Sequence, residues 1–159
     1  MKVLISDANV LIDMEVGGLI ELMFKLPFEF QTPDILFEEE LAEDHAYFLG
    51  LGLIKAPLSS AMLLRAEQLI VKYPVPSRND IFGLVLAEAL NVPLLTGDNK
   101  LRSATKKEAV QLNGTVWLLS QLRQQELASK EMLEIAVAKM RAGNRWLPWV
   151  TIDRLVKSW

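Results

Sequence analysis

The sequence predicts an α/β fold: a three-layer α/β/α sandwich with a mainly parallel central sheet and extra helices at the carboxyl end. Three observations predict it. Short continuous apolar runs, Val3-Leu4-Ile5 and Val92 to Thr96, have the composition of strands buried on both faces. Segments with apolar residues at helical spacing alternate with them, as Met62, Leu63, Ala66, Leu69 and Ile70 do. Polar residues then gather where each run ends, as in Ser6-Asp7-Ala8-Asn9 and Gly97-Asp98. Strands alternating with helices in this way pair in parallel and are covered on both faces.

In chain order, Val3-Leu4-Ile5 is the first strand, and Asn9 to Met14 and Gly18 to Phe24 are short helical pieces parted by Gly17-Gly18. Phe28 to Thr32 is a second strand, after which Pro33 opens a helix through Leu41. Gly50 to Ala56 is weakly strand-like. Ser59 or Ser60 caps a helix to Tyr73, where Pro74-Val75-Pro76 breaks the chain. Ser77 to Leu90 resumes as helix, Val92 to Thr96 is a strand, and Asn99 to Gln111 is a polar helix. Thr115 to Leu118 reads as a last short strand and Ser120 to Ala142 as helix. The tail from Gly143 to Trp159 holds three of the four tryptophans. No repeat or compositional shift divides the chain, so residues 1–159 are expected to form one domain, a core of 1–120 with a helical extension of 121–159 packed on it.

Composition narrows the chemistry. With no cysteine and a single histidine, His45, thiolate nucleophiles, Cys-ligated zinc and an HExxH site are excluded. His45 is expected to be a surface or packed residue. The amino terminus lacks a secretion-signal core, and no apolar run approaches the ~18 residues needed to cross a bilayer. A soluble, cytoplasmic protein with no membrane partner is expected. The net charge of −3 provides no global attraction for nucleic acid, so a phosphate-bearing substrate must meet a local basic patch or a bound cation.

Three aspartates stand where such a cation could sit. Asp7 and Asp98 each follow a buried strand, and Asp80 lies in the first turn of the helix opened by Ser77. Taken singly, each is explained as a helix cap or a favourable charge at a helix start. Parallel strands with right-handed crossovers, however, bring all their carboxyl ends to one edge of the sheet, where the three would converge. Clustered carboxylates repel unless a cation neutralises them, and oxygen-only donors select a hard ion, Mg²⁺ or Mn²⁺. The run Glu38-Glu39-Glu40 offers a fourth acid. Asn9, Thr96, Ser77 and Asn79 could orient carboxylates or water, and equally could be turn residues. Asp13 is expected to be an outlying surface or supporting acid.

These residues resemble the ordered motifs of PIN-domain nucleases: Ile5 to Ile12, Thr32 to Leu41, Asp80 with Leu84, Ala87 and Leu90, and Leu94 to Leu101. The resemblance covers about residues 1–120. Gly114 to Leu119 is similar to a subgroup of small prokaryotic PIN proteins that includes VapC-like toxins. It implies a metal-dependent endoribonuclease, with Asp7, Asp80 and Asp98 as metal ligands and Glu39 as the fourth catalytic acid. The triple glutamate leaves that last register open by one residue either way. It also implies an RNA substrate, an antitoxin partner and a homodimer. Arg78, Lys100 and Arg102, with Lys106 and Lys107, could hold flanking phosphates, or be a solvated helix face.

Two other readings stand beside it. Asp7 could be the nucleophile of a phosphatase or receiver-like domain, although Asn9 occupies the place of a second carboxylate two residues on. The chain could also be a non-catalytic RNA- or partner-binding module. At the carboxyl end, Trp146, Trp149 and Trp159 with Leu147, Val150, Ile152 and Leu155 are expected mostly to dock as a terminal helix, with a dimer or antitoxin surface as the alternative. Met62 and Met132 are expected in the core.

Overall fold

In the computed structural model, which describes residues 1–159, β1 (Lys2–Ser6) is the middle strand of a five-stranded sheet whose pairings are all parallel. β2 (Phe28–Pro33) and β3 (Ile54–Ala56) lie to one side, and β4 (Leu94–Leu95) and β5 (Leu112–Asn113) to the other. The order β3-β2-β1-β4-β5 reverses direction at β1. Loops leave β1 and β4 in opposite senses there, opening the crevice in which doubly wound folds bind ligands. Ser6 pairs with Leu95, and Leu95 with Asn113. Asp7 and Thr96 therefore emerge from the sheet at the same level.

The period of two along a strand creates the layers. Leu4 and Leu95 point into one core, Ile5 and Leu94 into the other, and all four are buried. The first core is closed by α1 (Ala8–Val16), α2 (Ile20–Met23), α8 (Thr115–Gln124), α9 (Lys130–Ala142) and α10 (Trp149–Lys157). The second is closed by α5 (Ser60–Lys72), α6 (Arg78–Leu90) and α7 (Asn99–Lys107). The link from β2 to β3 carries α3 (Asp34–Leu36), a π-helical turn at Phe37–Leu41 and α4 (Phe48–Leu51). Phe37 and Leu41 are buried, which fixes the turn against the first core. No helix is long and apolar enough to cross a membrane.

Several elements differ from expectation. Thr115 to Leu118 is not a strand but the start of α8; β5 is Leu112–Asn113. Thr115, Val116 and Trp117 favour strands, yet Leu118, Leu119 and Leu122 continue at helical spacing and are buried. Gly114 makes the junction because a Cβ there would lie 3.1 Å from the Thr96 carbonyl oxygen. Within Gly50 to Ala56, only Ile54–Ala56 is strand, and the preceding residues close α4 at Gly52, whose φ of 129° suits glycine. α7 stops at Lys107 instead of Gln111, with Ala109 in the left-handed region. Met132 is exposed on the outer face of its helix, and Met62 is half-buried at the edge of the second core. The tail docks in part. Ile152 and Val156 are buried, and Leu147, Trp149 and Trp159 pack against the first core, but Trp146 remains 93% exposed.

Candidate active site

At the carboxyl edge of β1, the chain turns directly into a helix. Asp7 has extended backbone, and its Oδ1 accepts from the Val10 N–H at 2.8 Å, capping α1. The Asp7 N–H donates to the Leu95 carbonyl at 3.0 Å, and the Thr32 hydroxyl donates to the Ser6 carbonyl at 3.0 Å. Strands on both sides thus pin the residue. Its side chain is buried, and the Thr96 hydroxyl favours its charged form. Burial pushes the Asp7 carboxyl up to about 7, beyond the help of Thr96 and Val10, and the charges of Asp80 and Asp13 add to the effect.

Asp80 and Asp98 arrive from the second layer and from the β4 edge. Ser77 and Asp80 form a reciprocal capping box at the start of α6, with bonds of 3.1 and 2.9 Å. Asp98 caps α7 through the Lys100 N–H at 2.8 Å, and its own N–H donates to the Thr96 hydroxyl oxygen. The Asp80 carboxyl is held above its usual range chiefly by burial, and also by the charge and hydrogen-bonding contact of Asp98. Two carboxyl groups in such contact need a shared proton or a cation between them. Asp7 and Asp98 are thus helix N-caps and Asp80 completes a capping box, and the three are also electrostatically in touch, Asp7 with Asp80 and Asp80 with Asp98.

The glutamate run divides. Glu38 turns away to pair with Lys55 at 2.9 Å. The Asn79 side-chain amide donates to Glu39 and Glu40, each at 3.0 Å, so both carboxylates lie beside the start of α6. The wide π turn accounts for this, because fewer degrees of rotation separate successive side chains than in an α-helix. Glu40 is raised above its usual range mainly by burial, and further by Asp80 and Glu39. The oxygen of the Asn79 amide is buried with no hydrogen-bond partner.

Of the basic residues, the Arg78 guanidinium stacks over Phe82 at 5.2 Å from the ring centroid. Lys100 and Arg102 are exposed on α7. Of the two places expected for Asp13, surface or supporting acid, the surface is excluded: it is buried and paired with Arg145, Nε to Oδ1 at 2.6 Å, while the Thr115 hydroxyl donates to its other oxygen at 2.8 Å. Arg145 also donates to the Asn9 carbonyl at 3.2 Å. Asn9, Asp13 and Arg145 line a cleft of about 580 Å³ that reaches Asp98 and Lys100. Arg145 and Thr115, the partners of Asp13, escape the sequence reading. Helical spacing carries a hint for Asp13 alone, which follows Val10 by three residues on a buried face.

The donor set fits a hard divalent cation. It is all oxygen, the carboxyls of Asp7 and Asp80 are pushed up by burial and by neighbouring acids, and the orphaned Asn79 oxygen faces no protein donor. No three Asp, Glu or His side chains meet at ligating distance of one point. The arrangement suits an ion held by one or two carboxylates that keeps several waters, the habit of Mg²⁺. A protein-family model described as PIN domain matches residues 3–159. No curated protein matches the chain.

Proposed function

Because the chain belongs to the PIN-domain family, whose members are generally nucleases, we propose that it is an endoribonuclease dependent on Mg²⁺ or Mn²⁺. We further propose that it is the toxin of a toxin–antitoxin pair, working in the cytoplasm and held in check by an antitoxin protein. One observation carries the catalytic reading. Asp7, Asp80 and Asp98 interact at the switch point of a parallel sheet, and the carboxyls of Asp7 and Asp80 are held above their usual range, a cost that a cation would relieve.

In this reading Asp7, Asp80 and Asp98 hold the ion, directly or through water. A bound divalent ion supplies an acidified water and positive charge for the transition state and the leaving oxygen. The chain's own residues do the rest. The Val10 N–H and the Thr96 hydroxyl fix the direction of the Asp7 carboxylate, and the Lys100 N–H fixes that of Asp98. Glu39 orients the attacking water, with Glu40 beside it on the same Asn79 amide. The raised pKa of Glu40 suits it to take the proton that water loses as it attacks phosphorus. Arg78, Lys100 and Arg102 hold flanking phosphates, and Asn9 and Thr96 steady the carboxylates.

The experiment is cleavage of single-stranded and structured RNA with Mn²⁺ by the purified chain, beside Asp7→Asn and Asp98→Asn. Asparagine preserves the caps, so both variants should fold and lose activity by 100-fold or more, on the order expected for lost transition-state stabilisation. Cleavage undiminished in both would overturn the site. The lack of a preassembled three-carboxylate cage favours a second reading, a non-catalytic RNA-binding module. RNA binding without cleavage of any substrate would select it.

A further inference from the structure

Trp146 is the most exposed large hydrophobic residue in the chain, at 93%, and it stands between two clefts. One, of about 580 Å³, contains Asp98, Lys100 and Arg145; the other, of about 330 Å³, contains Arg102 and Asn113. Gly97, Asn99 and Trp146 belong to both, so the indole divides a single depression that runs from the acidic site towards β5. Trp149, three residues on, is covered by the Arg141 guanidinium at 4.7 Å. Trp146 has no such cover.

Its backbone is nevertheless held firmly. Arg145, immediately before it, is tied to Asp13 and Asn9, and Leu147, immediately after it, packs on the first core. Polar neighbours in the depression are Lys100, Arg102 and asparagine side chains, beside Asp98 and the Asp13–Arg145 pair, and Val150, the other exposed apolar residue nearby in sequence, lines neither cleft. A bare aromatic face among cations and amides complements a ligand with its own π-face and anionic flanks. Single-stranded nucleic acid has both. We propose that Trp146 is a stacking platform for an RNA base, with Lys100 and Arg102 on the adjoining phosphates, so that the strand is set in register against Asp98. The proposal rests on the ribonuclease reading of the acidic site.

The test uses the full chain in EDTA, where cleavage is silent, and fluorescence anisotropy with a labelled single-stranded oligoribonucleotide. Trp146→Ala should weaken binding by on the order of 10-fold to 100-fold, the range of one lost base stack, and Trp146→Phe should restore most of it. An oligonucleotide with abasic positions retains its phosphates and should bind wild type and Trp146→Ala alike. Equal binding of the intact strand by wild type and Trp146→Ala overturns the proposal. So does a change in molar mass by light scattering in Trp146→Ala with RNA affinity unchanged, which would make the surface a contact between protein chains. Cleavage with Mn²⁺ separates the two readings. Stacking without cleavage by wild type sinks the nuclease alone, whereas cleavage lost in Asp7→Asn and unaltered in Trp146→Ala, with equal binding, sinks the platform alone.

Discussion

Replacing Arg145 by alanine leaves the Asp13 carboxylate buried with only the Thr115 hydroxyl for company. The side chains of the pair are 22% and 7% exposed, and removing one partner of a buried ion pair costs about 3 to 5 kcal/mol. Arg145 keeps some contact with solvent, so the lower end, about 3 kcal/mol, is expected. For a domain of this size that is a fall of about 6 to 12 °C in Tm. The pH dependence gives the sharper check. Burial already holds the Asp13 carboxyl above 3.8, outweighing Arg145 and Thr115. The folded chain therefore binds more protons here than the unfolded chain, and stability falls as pH rises through and beyond 3.8. Without Arg145 that fall deepens. Urea unfolding should show a larger loss in Arg145→Ala at pH 7.5 than at pH 5. An equal loss at both values would mean that the arginine contributes packing and not charge, and a loss below about 0.5 kcal/mol at pH 7.5 would refute the buried-pair assignment altogether.

Asp7→Asn should raise stability in EDTA while abolishing cleavage. With the folded carboxyl at about 7 against 3.8, wild-type stability declines between those values, and urea unfolding at pH 8 should favour the variant by about 1 to 3 kcal/mol. Glu108 behaves in the opposite sense. The Tyr73 hydroxyl, then Lys72 and Arg65, pull it down to about 2, so its contribution is full above 4.5 and lost as pH falls towards 2. Linkage caps that contribution at about 3 kcal/mol, and screening at the exposed lysine should leave about 1 to 2 kcal/mol for Glu108→Gln at pH 7, shrinking in acid. In the glutamate run, Glu38→Gln should cleave RNA like wild type, whereas Glu39→Gln and Glu40→Gln should each lose rate. Asn79→Ala should lose more activity at limiting than at saturating Mn²⁺, measured as initial rates over a metal titration.

The sheet and its acids are legible in the sequence because both are local. A buried strand shows itself by composition, and an aspartate directly after one is at the strand's end in any register. Convergence follows from the handedness of the crossovers, which is general. Arg145 is not legible, since its partner is 132 residues away and Asn144-Arg145 looks like any turn. The mistaken strand at Thr115 to Leu118 comes from β-branched residues at the first turn of a helix, where their cost is small and the leucines behind them decide. The split within Glu38-Glu39-Glu40 is hidden because a π turn leaves no mark in apolar spacing over five residues.

A π turn is an α-helix carrying one surplus residue. Here the surplus falls inside a run of three identical residues, between Phe37 and Leu41, both anchored in the core. Deleting any one glutamate gives the same shortened chain, and the turn can take up the loss by returning to ordinary pitch. The segment should then tolerate the simplest copying slip its coding repeat invites, with one carboxylate left beneath Asn79 instead of two. Length at this point can change by a residue without unfolding the segment, but at the loss of one of the two acids that serve the reaction.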